Sequence, residues 1–196
     1  MKGPLFTIPN ALTMVRAVAA VPVAVAILDA RFGLALVLVV LAGLTDGIDG
    51  WVARRAGQQS DYGRLLDPIA DKILLVTVFV AICVPGRGFE PLQAWVAALA
   101  IGRDLGIVLA GAAIYAATGF SGFTPTFFGK LNTVMELWLV VLFLATRSSL
   151  GLPEILLEIS IYATVFTIVG SGLHYVAHAR RQLAERRAGP SVASSS

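Results

Sequence analysis

Apolar residues run along this chain in long blocks separated by short polar breaks. Six stretches, at about 11–28, 33–54, 66–84, 92–118, 127–146 and 155–177, are apolar over nearly their whole length. Each is close to the roughly 20 residues that a helix needs to cross a bilayer. Isolated strands are excluded there, because lipid leaves their backbone groups unpaired. The breaks carry turn chemistry: Asp29-Ala30-Arg31 after the first stretch, Pro85-Gly86-Arg87-Gly88 after the third, and Ser148 to Pro153 after the fifth. The pattern predicts an all-α integral membrane protein of six transmembrane helices, with no internal repeat.

Composition agrees with that reading. Of 196 residues, 57% are hydrophobic and 14% charged, against roughly 25% charged in a soluble domain. Six spans and their loops fill the chain, which excludes a large water-soluble domain. The net charge of +3 follows from basic cytoplasmic loops, and no nucleic-acid partner is expected. Cys83, the single cysteine, has no intrachain partner and reads as an inert packed thiol. Residues 1–188 are expected to form one membrane domain, and the small, polar residues 189–196 a disordered tail.

The segment before the first span combines Leu5, Phe6 and Ile8 with Lys2, Pro4 and Pro9, as a short interfacial element does. A cleaved signal peptide is the alternative, and Arg16 within its would-be apolar region argues for retention. With both termini cytoplasmic, the inner segments hold nine basic residues: Lys2, Arg54, Arg55, Arg64, Lys130, Arg180, Arg181, Arg186 and Arg187. The outer loops hold three, Arg31, Arg87 and Arg147, and the other three, Arg16, Lys72 and Arg103, lie within spans. That asymmetry predicts cytoplasmic N and C termini.

The informative residues are the carboxylates inside apolar stretches: Asp46, Asp49, Asp67, Asp71, Asp104 and Glu136. Four clustered aspartates would cost on the order of 10 kcal/mol if left uncompensated in a bilayer. Asp46 and Asp49 are three apart at the end of the second stretch, and Asp67 and Asp71 four apart at the start of the third, so each pair shares a helix face. The short loop between them brings the faces together at the cytoplasmic boundary. Independent solvation of each acid by headgroup water is one resolution; bound cations between them are the other. Oxygen ligands without His or Cys select Mg²⁺, Mn²⁺ or Ca²⁺ over zinc. Gly47, Gly50 and Ala53 let a flat group approach the backbone, and Arg54 adds a fixed positive charge suited to phosphate.

The run from Asp46 to Asp71, DGIDGWVARRAGQQSDYGRLLDPIAD, fits D-x2-D-G-x2-A-R-x8-G-x3-D-x3-D at every fixed position: Asp46, Asp49, Gly50, Ala53, Arg54, Gly63, Asp67 and Asp71. It resembles the signature of the CDP-alcohol phosphotransferase family, whose six-span layout covers nearly the whole chain. The resemblance implies an enzyme of phospholipid biosynthesis that joins a CDP-linked lipid, here CDP-diacylglycerol, to an alcohol and releases CMP. It implies metal binding by Asp46, Asp49, Asp67 and Asp71, with two Mg²⁺ or Mn²⁺ ions, and assigns Asp71 as general base toward the acceptor hydroxyl. Gly50, Ala53 and Arg54 would line the CDP site, with Gly63 serving the turn that returns the third span. A homodimer in a bacterial cell membrane is also implied.

The acceptor rests on other segments. The opening IPNALTMVR, with Asn10, Thr13 and Arg16, resembles both CMP-forming cardiolipin synthases and phosphatidylglycerophosphate synthases of this family, while helix capping explains Asn10 and Thr13 equally well. Gly102-Arg103-Asp104 and the run Pro125 to Thr133, PTFFGKLNT, are closer to the cardiolipin synthases. Phosphatidylglycerol presents a singly charged diester and a neutral glycerol head, and glycerol 3-phosphate a doubly charged phosphate, so fewer cations favour the lipid acceptor. Arg103, Lys130 and Asn132 are the acceptor-site candidates. An ion pair of Arg103 with Asp104 or Glu136 is the structural alternative, and Glu136 itself reads as a buried partner.

His174 and His178 share a helix face four residues apart but lack an adjacent third ligand, and they read as the interfacial end of the sixth span. The cluster Arg180, Arg181, Arg186 and Arg187 suits anionic lipid. A small cation transporter also carries intramembrane acids, but has no need of Gly50, Ala53 and Arg54 at fixed offsets. An intramembrane aspartyl protease needs two acids, not four.

Overall fold

The computed structural model describes the backbone at residues 8–56, 61–85, 88–118 and 127–187, and side chains at 18–45, 72–85, 88–110 and 129–175. Among these are six helices: α1 (Ile8–Leu28), α2 (Phe32–Ala56), α3 (Asp61–Cys83), α4 (Ala94–Thr118), α5 (Phe127–Arg147) and α6 (Glu154–Arg187). The expected tail at 189–196 lies outside the described residues.

Each predicted stretch contains one helix, and the ends differ for physical reasons. Helix α3 starts at Asp61, five residues before the apolar run, so Gly63 stands inside its first helical turn and not in the connection to α2. The turn expected at Gly63 is corrected accordingly. Helix α4 starts at Ala94 instead of 92, because the Leu92 amide donates to the Ile82 carbonyl (2.9 Å) and ties the loop back to α3. Helix α6 continues ten residues past 177 to Arg187: its Ala, Arg, Gln, Leu and Glu are strong helix formers. Hydrophobicity marks where the apolar environment ends, not where the helix does.

The α1–α2 turn is a helix C-cap. Ala30 adopts φ 57°, Arg31 N–H donates to Ala26 O at 2.8 Å and Ala30 N–H to Ile27 O at 2.9 Å. This paired pattern is the Schellman motif, with alanine where glycine is usual. Gly151 (φ 58°) serves the α5–α6 turn.

Helix α1 packs on α2 and α3, α5 on α2 and α6, and α4 on α3 and α6. Among the described residues the buried core includes Val23, Ile27, Val39, Phe79, Ile82, Val96, Leu139 and Phe143. Phe32, Phe89 and Phe143 meet edge to face, with centroids 5.0 to 6.5 Å apart. The Arg147 guanidinium lies 5.7 Å over the Phe143 ring and pairs with Glu154 across the α5–α6 turn.

Large apolar side chains also face outward, among them Val18, Val37, Leu109, Tyr162, Phe166 and Leu173. Among the described residues, Gly129–Arg147 of α5 and Glu154–Tyr175 of α6 are long and apolar enough to cross a membrane. Val18–Leu28, Phe32–Thr45 and Lys72–Cys83 are shorter apolar segments.

Candidate active site

The acidic signature is carried on two helices that meet end to end in sequence. Asp46, Asp49, Gly50, Ala53 and Arg54 lie in the last part of α2, and Gly63, Asp67 and Asp71 in the first part of α3. Helical backbone at both places keeps Asp46 with Asp49, and Asp67 with Asp71, about one turn apart, where Cβ atoms stand roughly 5–6 Å from each other. The side chains of residues 46–71 lie outside the described residues. The donor set, four carboxylates with no His or Cys among them, fits a hard divalent ion such as Mg²⁺ or Mn²⁺.

Immediately beyond Asp71 the side chains are described, and a polar layer crosses the helix bundle. Lys72 of α3 forms an ion pair with one oxygen of Asp104 on α4. The other Asp104 oxygen accepts from Arg103 Nη1 at 2.8 Å. Arg103 Nη2 in turn donates to the hydroxyl of Ser171 on α6. Asp104 and Arg103 are about nine-tenths buried and Lys72 is partly exposed, at 38%. Asp104 thus joins α3 to α4, and Arg103 carries the link on to α6.

A second polar group stands on α5. Asn132 and Glu136 are fully buried, and Asn132 Nδ2 donates to Glu136 Oε1 at 2.6 Å. The Asn132 carbonyl oxygen lies 3.3 Å from the Thr167 hydroxyl of α6, and Thr164 donates to the Met135 carbonyl at 3.2 Å. Of the acceptor-site candidates, Arg103 and Asn132 therefore both reach α6, at Ser171 and Thr167, four residues apart and on one face. Lys130 is exposed in the first turn of α5, two positions before Asn132. Arg103 has the expected alternative partner in Asp104.

From the sequence, Lys72 is only a basic residue within a span, and the hydroxyl residues of α6 carry no expected role. Their signal was present there: Ser160, Thr164, Thr167 and Ser171 recur at helical spacing in an apolar run, and three of them are fully buried. Small hydroxyl residues in that register mark a helix–helix contact face in lipid. Lys72, directly after Asp71 in an apolar stretch, demanded a partner for the same reason as the acids.

Comparison with known proteins adds the family. Residues 6–170 match a family model described as CDP-alcohol phosphatidyltransferase. The CMP-forming cardiolipin synthases of Rattus norvegicus and Homo sapiens are each 32% identical over 192 residues, covering 90% of this chain and 62% of theirs. A probable phosphatidylglycerophosphate synthase of Mycobacterium tuberculosis is 30% identical over 143 residues, covering 72% of this chain and 64% of its own. This chain thus spans somewhat less than two thirds of the relatives' length. With its match running from the N-terminal segment well into α6 and including the whole acidic signature, the chain belongs to the membrane-embedded CDP-alcohol phosphatidyltransferase family.

Proposed function

We propose that this protein transfers the phosphatidyl group of CDP-diacylglycerol to a hydroxyl of phosphatidylglycerol, giving cardiolipin and CMP. The observation that carries the reading is the signature from Asp46 to Asp71, held on two consecutive helices within the family match. In the reaction, the acceptor oxygen bonds to the phosphorus that bears diacylglycerol. The bond from that phosphorus to the bridging oxygen breaks, and CMP leaves with its electron pair. Asp71 takes the acceptor hydroxyl's proton as the new bond forms, a contribution of about 10²–10⁴ in rate for a positioned base.

Asp46, Asp49, Asp67 and Asp71 hold the divalent ions, Mg²⁺ or Mn²⁺ and two in number, which when bound offset the pyrophosphate charge and stabilise the departing CMP. Gly50, Ala53, Arg54 and Gly63 bind the CDP moiety, Arg54 supplying positive charge for its phosphates. Arg103 and Lys130 hold the acceptor's phosphate. Asn132, buried and bonded to Glu136 and Thr167, shapes that pocket from behind. All six helices cross the membrane, with both termini cytoplasmic, and two copies form a homodimer.

The similarity to the rat and human CMP-forming cardiolipin synthases supports the lipid acceptor. The mycobacterial relative supports a second reading, with glycerol 3-phosphate as acceptor and phosphatidylglycerophosphate as product. A cation pathway, the reading of another class, is disfavoured by the family match. The test supplies purified protein with CDP-diacylglycerol and Mg²⁺ or Mn²⁺, then offers phosphatidylglycerol, glycerol 3-phosphate, serine or inositol phosphate separately. CMP release with phosphatidylglycerol alone is expected. Release with glycerol 3-phosphate alone establishes the second reading, and no release with any acceptor removes both.

A further inference from the structure

The polar layer beside the acidic signature does something the signature does not require. Lys72 follows Asp71 on α3, and its partner Asp104 is 32 positions away on α4. Asp104 is also held by Arg103, and Arg103 by Ser171, so the chain of contacts runs from α3 through α4 to α6. As a device for stability this is poor: Asp104 is mostly buried and loses hydration, while Lys72, 38% exposed, has its attraction screened by solvent. What such a pair does supply is a unique geometry. Among the described residues of α3, the other inward contacts, Leu74, Leu75, Val78, Phe79, Ala81 and Ile82, are all apolar. They resist separation of the helices better than they resist roll.

Roll is what the acidic site cannot tolerate. At 3.6 residues per turn, Asp71 sits about 100° around the helix from Lys72 and Asp67 about 140° around in the same direction. Both carboxylates ride about 5–6 Å from the axis, so a 20° roll displaces them by about 2 Å. A preorganised site tolerates roughly 0.5 Å. We propose that the Lys72–Asp104 ion pair is a positioning device that fixes the rotation of α3, and through it the placement of Asp67 and Asp71. The inference rests on the signature reading proposed above; Lys72 and Asp104 are positioning residues and touch no substrate.

The test compares K72M, D104N, the double variant K72M/D104N and K72R in purified full-length protein. Three quantities are read: kcat, the acceptor KM, and Mn²⁺ affinity by electron paramagnetic resonance without substrate. Both single variants should lower kcat and Mn²⁺ affinity by about tenfold or more, and K72M, which leaves the Arg103–Asp104 bond in place, should keep the acceptor KM within about threefold. The double variant should be no worse than D104N, since K72M leaves Asp104 paired with Arg103, D104N leaves both Lys72 and Arg103 without their carboxylate, and the double leaves only Arg103 so. K72R, which keeps the charge, should recover most of both quantities.

Losses that multiply in the double variant would overturn the inference, as would unchanged Mn²⁺ affinity in both single variants. A raised acceptor KM in K72M alone would do the same and make Lys72 a substrate contact. Wild-type protein that binds Mn²⁺ yet releases no CMP removes the proposed reaction only, and the Mn²⁺ measurements still decide the positioning role.

Discussion

Asn132 donates its amide hydrogen to Glu136 one turn further along α5, at 2.6 Å, with both side chains fully buried. The bond fixes the Asn132 amide so that its carbonyl oxygen meets Thr167 of α6, and the pair therefore joins α5 to α6 from within. Removing a buried partner costs about 1–3 kcal/mol, because the remaining group keeps its desolvation penalty. Asn132→Ala should therefore lower thermal stability in detergent while leaving the acceptor KM within about threefold. A tenfold rise in that KM at unchanged stability would instead make Asn132 a direct acceptor ligand.

The base assignment has its own signature. Asp71→Asn keeps the size and polarity of the side chain and removes its ability to accept the proton. The variant should fold and bind CDP-diacylglycerol, and lose turnover by at least about 10²-fold. Equilibrium binding of the nucleotide lipid and CMP release separate these two effects. Near-normal turnover would sink the assignment.

The acidic donor set predicts a metal preference. Chelation with EDTA should abolish CMP release, and Mg²⁺ or Mn²⁺ should restore it. Zn²⁺ should not, because oxygen-only donors favour hard ions. Full activity in the presence of excess chelator would exclude the metal-dependent reading.

At the opposite end of the bundle, Ala30 occupies a left-handed conformation in the α1–α2 turn. That conformation costs a residue with a Cβ about 1 kcal/mol or more, and glycine essentially nothing. Ala30→Gly should accordingly raise stability by about 1 kcal/mol, read as a higher unfolding midpoint, without changing turnover. A lower midpoint would mean that the alanine methyl group contributes packing worth more than the strain.

Much of the helical layout was legible in the sequence because the signal is coarse: an apolar block long enough for a span needs no tertiary knowledge. The ends were less legible. At Asp61 and at Arg187 the helices extend into polar residues, where backbone propensity and not hydrophobicity decides. At Leu92 a backbone bond to Ile82 delays α4, and no residue type announces it. The candidate site divides the same way. The acidic signature is local in sequence and readable by spacing, whereas the Lys72–Asp104 pair joins residues on different helices. Asp104 drew attention as a buried charge, but which cation neutralises it depends on how α3 and α4 pack.

The central claim is most directly tested by the product itself. Purified protein is given CDP-diacylglycerol, Mn²⁺ and phosphatidylglycerol deuterated in its acyl chains, and the lipids are analysed by mass spectrometry alongside the released CMP. The account predicts cardiolipin in which one phosphatidyl half carries the label and the other does not, formed in a one-to-one ratio with CMP. Unlabelled cardiolipin, or CMP formed without any labelled four-chain lipid, would contradict it.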